Sequence, residues 1–149
     1  MFSVRVVGID ENFYVLRLDD ERVRFFEAVC DVPEGVTYNA YLYVGEKVVL
    51  FDTWKKGFCS LFLDTISRIV EPSDIDYVVV HHAEPGHSGC IREVVDASSA
   101  VLLGHPLAKS MLESFHGSRF KYQPVSDGST LEIGSLKLRF HSYSLATLV

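Results

Sequence analysis

Cysteine is scarce in this chain, and the three it has, Cys30, Cys59 and Cys90, stand far apart with no CxxC pair among them. That argues against a disulfide framework. It predicts reduced thiols that pack as small buried hydrophobes in a cytoplasmic protein. Long apolar runs are missing as well. No segment approaches the roughly 20 apolar residues that cross a bilayer, and MFSVRVVGID carries charge where the apolar centre of a secretory leader would lie. A cytoplasmic protein without membrane contact is the expectation. Positive charge is in deficit: 14 Lys and Arg face 20 Asp and Glu, interspersed, for a net charge of −6. Nucleic acids and anionic membranes bind mainly through Lys and Arg on phosphates, so neither is an expected partner. Apolar residues make up 48% and charged ones 23%, which excludes a disordered chain. No repeat, linker or low-complexity segment divides it, and residues 1–149 read as one domain.

The first fifty residues alternate like strands. SVRVVG, FYVLRL, RVRFFEAV and TYNAYLYV each place apolar side chains at every second position, and the last is joined to VVLFD by a tight GEK turn. KGFCSLFLDTISRIV changes period: Phe58, Leu61, Phe62, Thr65, Ile66 and Ile69 share one helical stripe. IDYVVV is a short, continuously apolar strand of the buried kind. After it come a helix at IREVVDA, a strand at SAVLLG, a helix at PLAKSMLESF with Pro106 near its start, and a strand at RFKYQPV. A closing hairpin, SDGSTLEIGSLKLRFHSYS, turns at Gly128 and Gly134. Antiparallel strands followed by helix–strand alternation predict an α/β mixed sheet with helices on one face.

Between strand and helix lies HHAEPGHSG, His81 to Gly89, with three histidines and a carboxylate in nine residues. Pro85 and Gly86 predict a loop rather than a regular helix, at the carboxyl end of a buried strand, where α/β sheets gather ligands. Imidazoles and a carboxylate suit zinc or iron, so His82, Glu84 and His87 are three candidate metal ligands. The alternatives are histidines at the surface or capping a helix, and a proton-transfer site without metal. His81 is a candidate substitute ligand, although neighbouring strand residues face opposite ways. Asp52, in LFDT, is a candidate to orient a ligand histidine or to cap a turn. Asn39, in TYNAYL, is a candidate hydrogen-bond partner of the loop or a polar strand-edge residue. Trp54, with Lys55 and Lys56 beside it, is expected as a partly exposed aromatic; His105 is expected at a helix start, and His116 and His141 as structural residues.

Three segments in order, GVTYNAYLYVGEKVVLFDT, DIDYVVVHHAEPGHSG and VSDGSTLEIGSLKLRF, resemble the N-terminal half of the metallo-β-lactamase-like domain of flavodiiron proteins. That family reduces dioxygen or nitric oxide at a non-haem diiron centre, and its metal loop reads H-x-E-x-D-H followed by S-G. The resemblance implies metal ligation by His82, Glu84 and His87, and a ligand-orienting role for Asp52. Its most specific residue is Glu84, since hydrolases of the superfamily carry His there. Gly86 stands where the family has the Asp that ligates the second iron. The family's next ligands are a His in an HWPD-type segment, a bridging Asp and a final His. Continuing the match puts Thr147 near the first of these, and the other two positions fall beyond residue 149. The flavodoxin-like domain that carries FMN has no counterpart in these residues, so FMN is not expected here. The resemblance thus implies an incomplete or single-metal site for iron or zinc, fed by a separate flavoprotein or rubredoxin-like donor. The alternatives are a non-catalytic structural or interaction subunit and a metal-dependent hydrolase.

The superfamily fold is an αββα sandwich of two similar halves, and this chain supplies one sheet and one helical layer. One apolar sheet face is therefore expected to be uncovered, to be met by a second copy or by a hetero-partner carrying the other half.

Overall fold

The alternating segments form strands because every second side chain reaches the same face, where it meets apolar neighbours. The computed structural model describes residues 1–26 and 29–142. Its strands are β1 (Phe2–Asp10), β2 (Phe13–Asp20), β3 (Phe25–Phe26), β4 (Cys30–Asp31), β5 (Val36–Val44), β6 (Val48–Phe51), β7 (Ile75–Val80), β8 (Val101–Gly104), β9 (Tyr122–Pro124), β10 (Thr130–Ile133) and β11 (Leu136–Arg139). Its helices are α1 (Cys59–Ile66), α2 (Pro85–Ser88), α3 (Ile91–Ser98) and α4 (Pro106–His116).

Seven strands make one sheet in the order β1-β2-β5-β6-β7-β8-β9. The three junctions from β1 to β6 are antiparallel and the three from β6 to β9 are parallel. This split follows from the connections. Short turns can join only antiparallel neighbours, whereas the stretches carrying α1, α2 with α3, and α4 are long enough to cross over. Among the described residues of RVRFFEAV, Phe25 and Phe26 are strand, paired with Cys30–Asp31 apart from the main sheet. Arg22 turns back there to donate to Asp20 Oδ1 at 2.8 Å, which ends the run from β2.

One sheet face carries the helices. Leu16, Leu18, Leu42, Leu50, Val78 and Leu102 meet Phe62 and Ile66 of α1, Ile91 and Val94 of α3, and Leu112 of α4. Trp54 is not a partly exposed aromatic: it is fully buried in this layer, 4.8 Å from the Phe62 ring, and its indole N–H donates to Leu16 O at 3.0 Å. A buried indole needs such an acceptor, and the β2 backbone supplies it.

The other face is partly covered, contrary to expectation. The β10–β11 hairpin turns Leu131, Ile133, Leu136 and Leu138 onto Val49, Phe51, Val79 and Leu103. Beyond the hairpin, Val7, Val15 and Tyr41 continue the same cross-strand row, with Val7 51% and Tyr41 36% exposed. The cysteines also differ from the expected three buried thiols. Cys59 and Cys90 are joined in a disulfide with Cα atoms 5.2 Å apart, while Cys30 is free and exposed. Pairing across 31 residues is a product of tertiary packing, which spacing alone does not reveal. No helix among the described residues is long and apolar enough to cross a membrane. Thr147 lies outside the described residues.

Candidate metal centre

The site begins where β6 ends. Asp52 has a left-handed backbone, φ 57°, which a short polar side chain tolerates better than a branched one. Its amide donates to Val79 O at 2.9 Å, so the turn stays tied to β7 while the chain leaves the sheet. Thr53, fully buried, then fastens the loop that follows β7. Its amide and hydroxyl both donate to His87 O, at 2.7 and 3.0 Å, and its Oγ1 accepts from the Cys90 amide at 3.2 Å.

HHAEPGHSG is not wholly a loop. Pro85–Ser88 form one helical turn, α2, because Pro85 occupies the first helical position, where its missing N–H costs nothing. The Ser88 hydroxyl donates to Ala83 O at 3.0 Å and to Glu84 O at 3.1 Å, closing the turn from within. Gly89 continues in helical geometry with its Cα against the Lys55–Lys56 backbone and Pro85 O, a gap that admits no side chain. From behind, His116 Nε2 lies 3.0 Å from Ser88 O and donates to it, which fixes the ring proton on that nitrogen. Burial lowers the pKa of His116 and outweighs the effect of that bond.

The carboxylate of Asp52 is the centre of charge. Oδ1 accepts from the His81 amide at 2.9 Å, while Oδ2 lies 3.2 Å from His81 Nδ1 and 3.4 Å from His87 Nδ1. The His87 approach is off-axis, so it is a charge contact, and this buried nitrogen has no aligned hydrogen-bond partner. Burial pushes the Asp52 pKa up, but the His81 and His87 contacts prevail and hold it below the usual carboxylate value. Asp52 in turn raises the pKa of both histidines against their own desolvation, and the Glu84 charge adds to this at His87.

The other sequence candidates are distributed around this centre. His82 and His87 approach each other, ring centroids 5.7 Å apart. His81 stacks on Phe51 at 6.1 Å. Glu84 precedes α2 and folds its carboxylate over Gly86: a Cβ built there would sit 2.7 Å from Glu84 Oε2 and 3.3 Å from the Tyr38 ring. Asn39 lies on β5 opposite Arg17, and among the described residues no side-chain hydrogen bond joins it to the loop. His105 caps α4, its Nδ1 accepting from the Leu107 amide at 3.2 Å, and His141 is exposed. The donor chemistry of the loop suits iron or zinc. Among the described residues, however, no three His, Cys, Asp or Glu side chains converge as a ready metal cage. Thr53 and Ser88 escaped the sequence reading. Their signal was their place beside Asp52 and His87, but hydroxyl-to-carbonyl bonding across 34 residues has no periodic signature.

No protein-family model matches the chain. A diflavin flavoprotein of Synechocystis sp. is 31% identical over 134 residues, which cover 89% of this chain and 23% of that protein. The rubredoxin-oxygen oxidoreductase of Megalodesulfovibrio gigas is 33% identical over 140 residues, 93% of this chain and 35% of its own. Among solved structures, a flavo di-iron protein mutant from Thermotoga maritima superposes with a TM-score of 0.90 at 36% identity, over 95% of this chain and 37% of that one. The chain thus spans between 23% and 37% of the length of these relatives. With this identity and this agreement of fold, nearly the whole chain is similar to flavodiiron proteins, and its α/β fold is that of one half of their metallo-β-lactamase-like domain.

Proposed function

We propose that this chain holds one metal ion, iron or zinc, through His82, Glu84 and His87, and that it does not by itself hold the diiron pair of its family. The observation that carries the reading is at Gly86. A carboxylate there would belong to the second iron in the resemblance drawn from the sequence. Glycine offers no donor atom, and the Glu84 carboxylate lies over the vacated position instead. The residues present therefore fit part of one ion's coordination and do not fit a pair. Asp52 supports the same reading: buried and anionic, it faces His87 Nδ1 and leaves the opposite ring nitrogen as the ligating atom. A bound iron would supply one-electron chemistry, and a bound zinc Lewis acidity. The chain's own part is to set the imidazoles and to hold the loop rigid through Thr53, Ser88 and His116. Electrons for an iron site would come from a separate flavoprotein or rubredoxin-like donor. A second copy, or a partner carrying the other half, would cover Val7, Ile9 and Tyr41 and bring in the remaining ligands.

The test is metal content per chain by mass spectrometry, on untagged protein purified without chelator, beside His82→Ala. About one iron or zinc per chain, lost in the variant, is the expected result. Two ions per chain would overturn the single-metal reading. A second reading, a non-catalytic interaction subunit, is favoured by the lack of three converging donors among the described residues. Metal-free protein of both forms would overturn the metal-binding reading and turn the search to binding partners.

A further inference from the structure

Cys59 and Cys90 stand at the junction of three segments that the metal loop depends on. Cys59 is the first residue of α1, and Cys90 directly precedes α3 and follows HHAEPGHSG. Cys90 also shares its backbone amide with Thr53 Oγ1, the atom that holds His87 O. Each sulfur has a carbonyl beside it: Gly89 O is 3.8 Å from Cys59 Sγ, and Lys55 O is 3.4 Å from Cys90 Sγ. Two reduced thiols, moved apart from bonding distance, would therefore have carbonyl acceptors close by. Both sulfurs also lie at helix N-terminal ends, where thiolate is favoured. Neither cysteine has a part in the proposed ligand set.

We propose that Cys59 and Cys90 form a reversible dithiol–disulfide couple that clamps the metal loop to the start of α1 when oxidised and loosens it when reduced. The partner in exchange is a low-molecular-weight disulfide. Cys59, 8% exposed, is the entry point, since Cys90 is fully buried. The Cys59 thiolate attacks one sulfur of the external disulfide, whose S–S bond breaks and releases one thiol. Cys90 then attacks the Cys59 sulfur, forming the intramolecular S–S bond and releasing the second thiol. Two protein thiols are oxidised, one external disulfide is reduced to two thiols, and the two protons pass to those thiols.

The test uses the full chain as purified, equilibrated in glutathione buffers from fully reducing to fully oxidising, then quenched, alkylated and weighed by peptide mass spectrometry. Expected is joint gain or loss of two alkyl groups at Cys59 and Cys90, with Cys30 reacting independently. Hydrogen exchange in the same samples is expected to be about tenfold or more slower at the Thr53 and Cys90 amides in the oxidised form. A Cys59→Ala, Cys90→Ala double variant should show no response to the buffer ratio; if it fails to fold, the wild-type comparison still decides. A pair that stays in one state throughout would overturn the proposal. So would a pair that converts without changing exchange at the loop, which would make it a cross-link without influence on the site. None of these readouts depends on bound metal, so failure here is distinct from failure of the metal-binding reading.

Discussion

Replacing Gly89 by alanine tests how the histidine loop is held. Its backbone, φ −58° and ψ −30°, is ordinary helical geometry, in which alanine is normally preferred to glycine by about 0.5–1 kcal/mol. Conformation alone therefore predicts a more stable protein. Packing predicts the reverse. A Cβ at this position falls against Lys56 N, and within 2.7 Å of both Lys55 C and Pro85 O, all of them backbone atoms that no rotamer change can move. To admit it, α2 must part from the 53–56 segment. That strains the two Thr53 bonds to His87 O, at 2.7 and 3.0 Å, and the Cys90 amide bond at 3.2 Å. Overpacking costs about 1–3 kcal/mol and each weakened hydrogen bond about 1 kcal/mol, so after the conformational gain the net expectation is a loss of about 3–5 kcal/mol. Urea unfolding followed by far-UV circular dichroism measures it, with Gly86→Ala as control. At Gly86 the nearest atom is the movable end of Glu84, and the cost should stay below about 1 kcal/mol. A Gly89→Ala protein as stable as wild type, or more so, would refute the close-packing argument.

Asp20 is the second sensitive position. Its side chain is 1% exposed and accepts from Arg22 Nε at 2.8 Å and Lys55 Nζ at 2.9 Å, so Asp20→Asn should cost about 2 kcal/mol in the same urea assay. The Arg22 hydrogen bond, opposed by burial and aided by Lys55, holds the Asp20 carboxyl well below the usual carboxylate range. A depressed folded-state pKa gives stability that is complete above the unfolded value of about 3.9 and is lost as pH falls through the folded one. Wild-type unfolding midpoints should therefore drop below about pH 4, with a shallower drop in Asp20→Asn; parallel curves would count against the pairing. Trp54→Phe removes the indole donor from Leu16 O and leaves a gap beside Phe62, for an expected loss of about 2–3 kcal/mol read by calorimetry.

Much of the fold could be read before any coordinates because burial writes a period into the chain. IDYVVV is apolar on both faces, and Val78 and Val80 do pack beneath the helices while Val79 packs beneath the hairpin. The stripe through Phe62 and Ile66 points into the helical layer. The turn glycines made the closing hairpin legible, but not that Leu131, Ile133, Leu136 and Leu138 would cover the second face of the sheet. That required knowing that the chain turns back across the sheet, which no local pattern specifies. Boundaries failed where backbone geometry prevailed over propensity. Gly57, at φ 99°, delays α1 until Cys59, and Pro85 starts a helical turn where a loop was expected.

The site was legible in its residue types and illegible in its supports. His82, Glu84 and His87 stand out because donor side chains rarely crowd so closely after a buried strand. What holds them does not stand out. Asp52 lies 29 residues before His81 in the chain, and Thr53 lies 34 before His87. Each acts through atoms whose partners are set by how β6 and β7 pair. The parallel register of Phe51 with Val79 determines this. It sets the end of β6 one residue short of the end of β7, so the carboxylate at 52 reaches the amide at 81 without any motif linking them. A one-residue slip of that register would turn Asp52 away from the loop and leave His81 and His87 without their shared counter-charge. The histidine loop is thus specified twice: locally by its candidate donors, and at a distance by an apolar strand pairing that contains none of them.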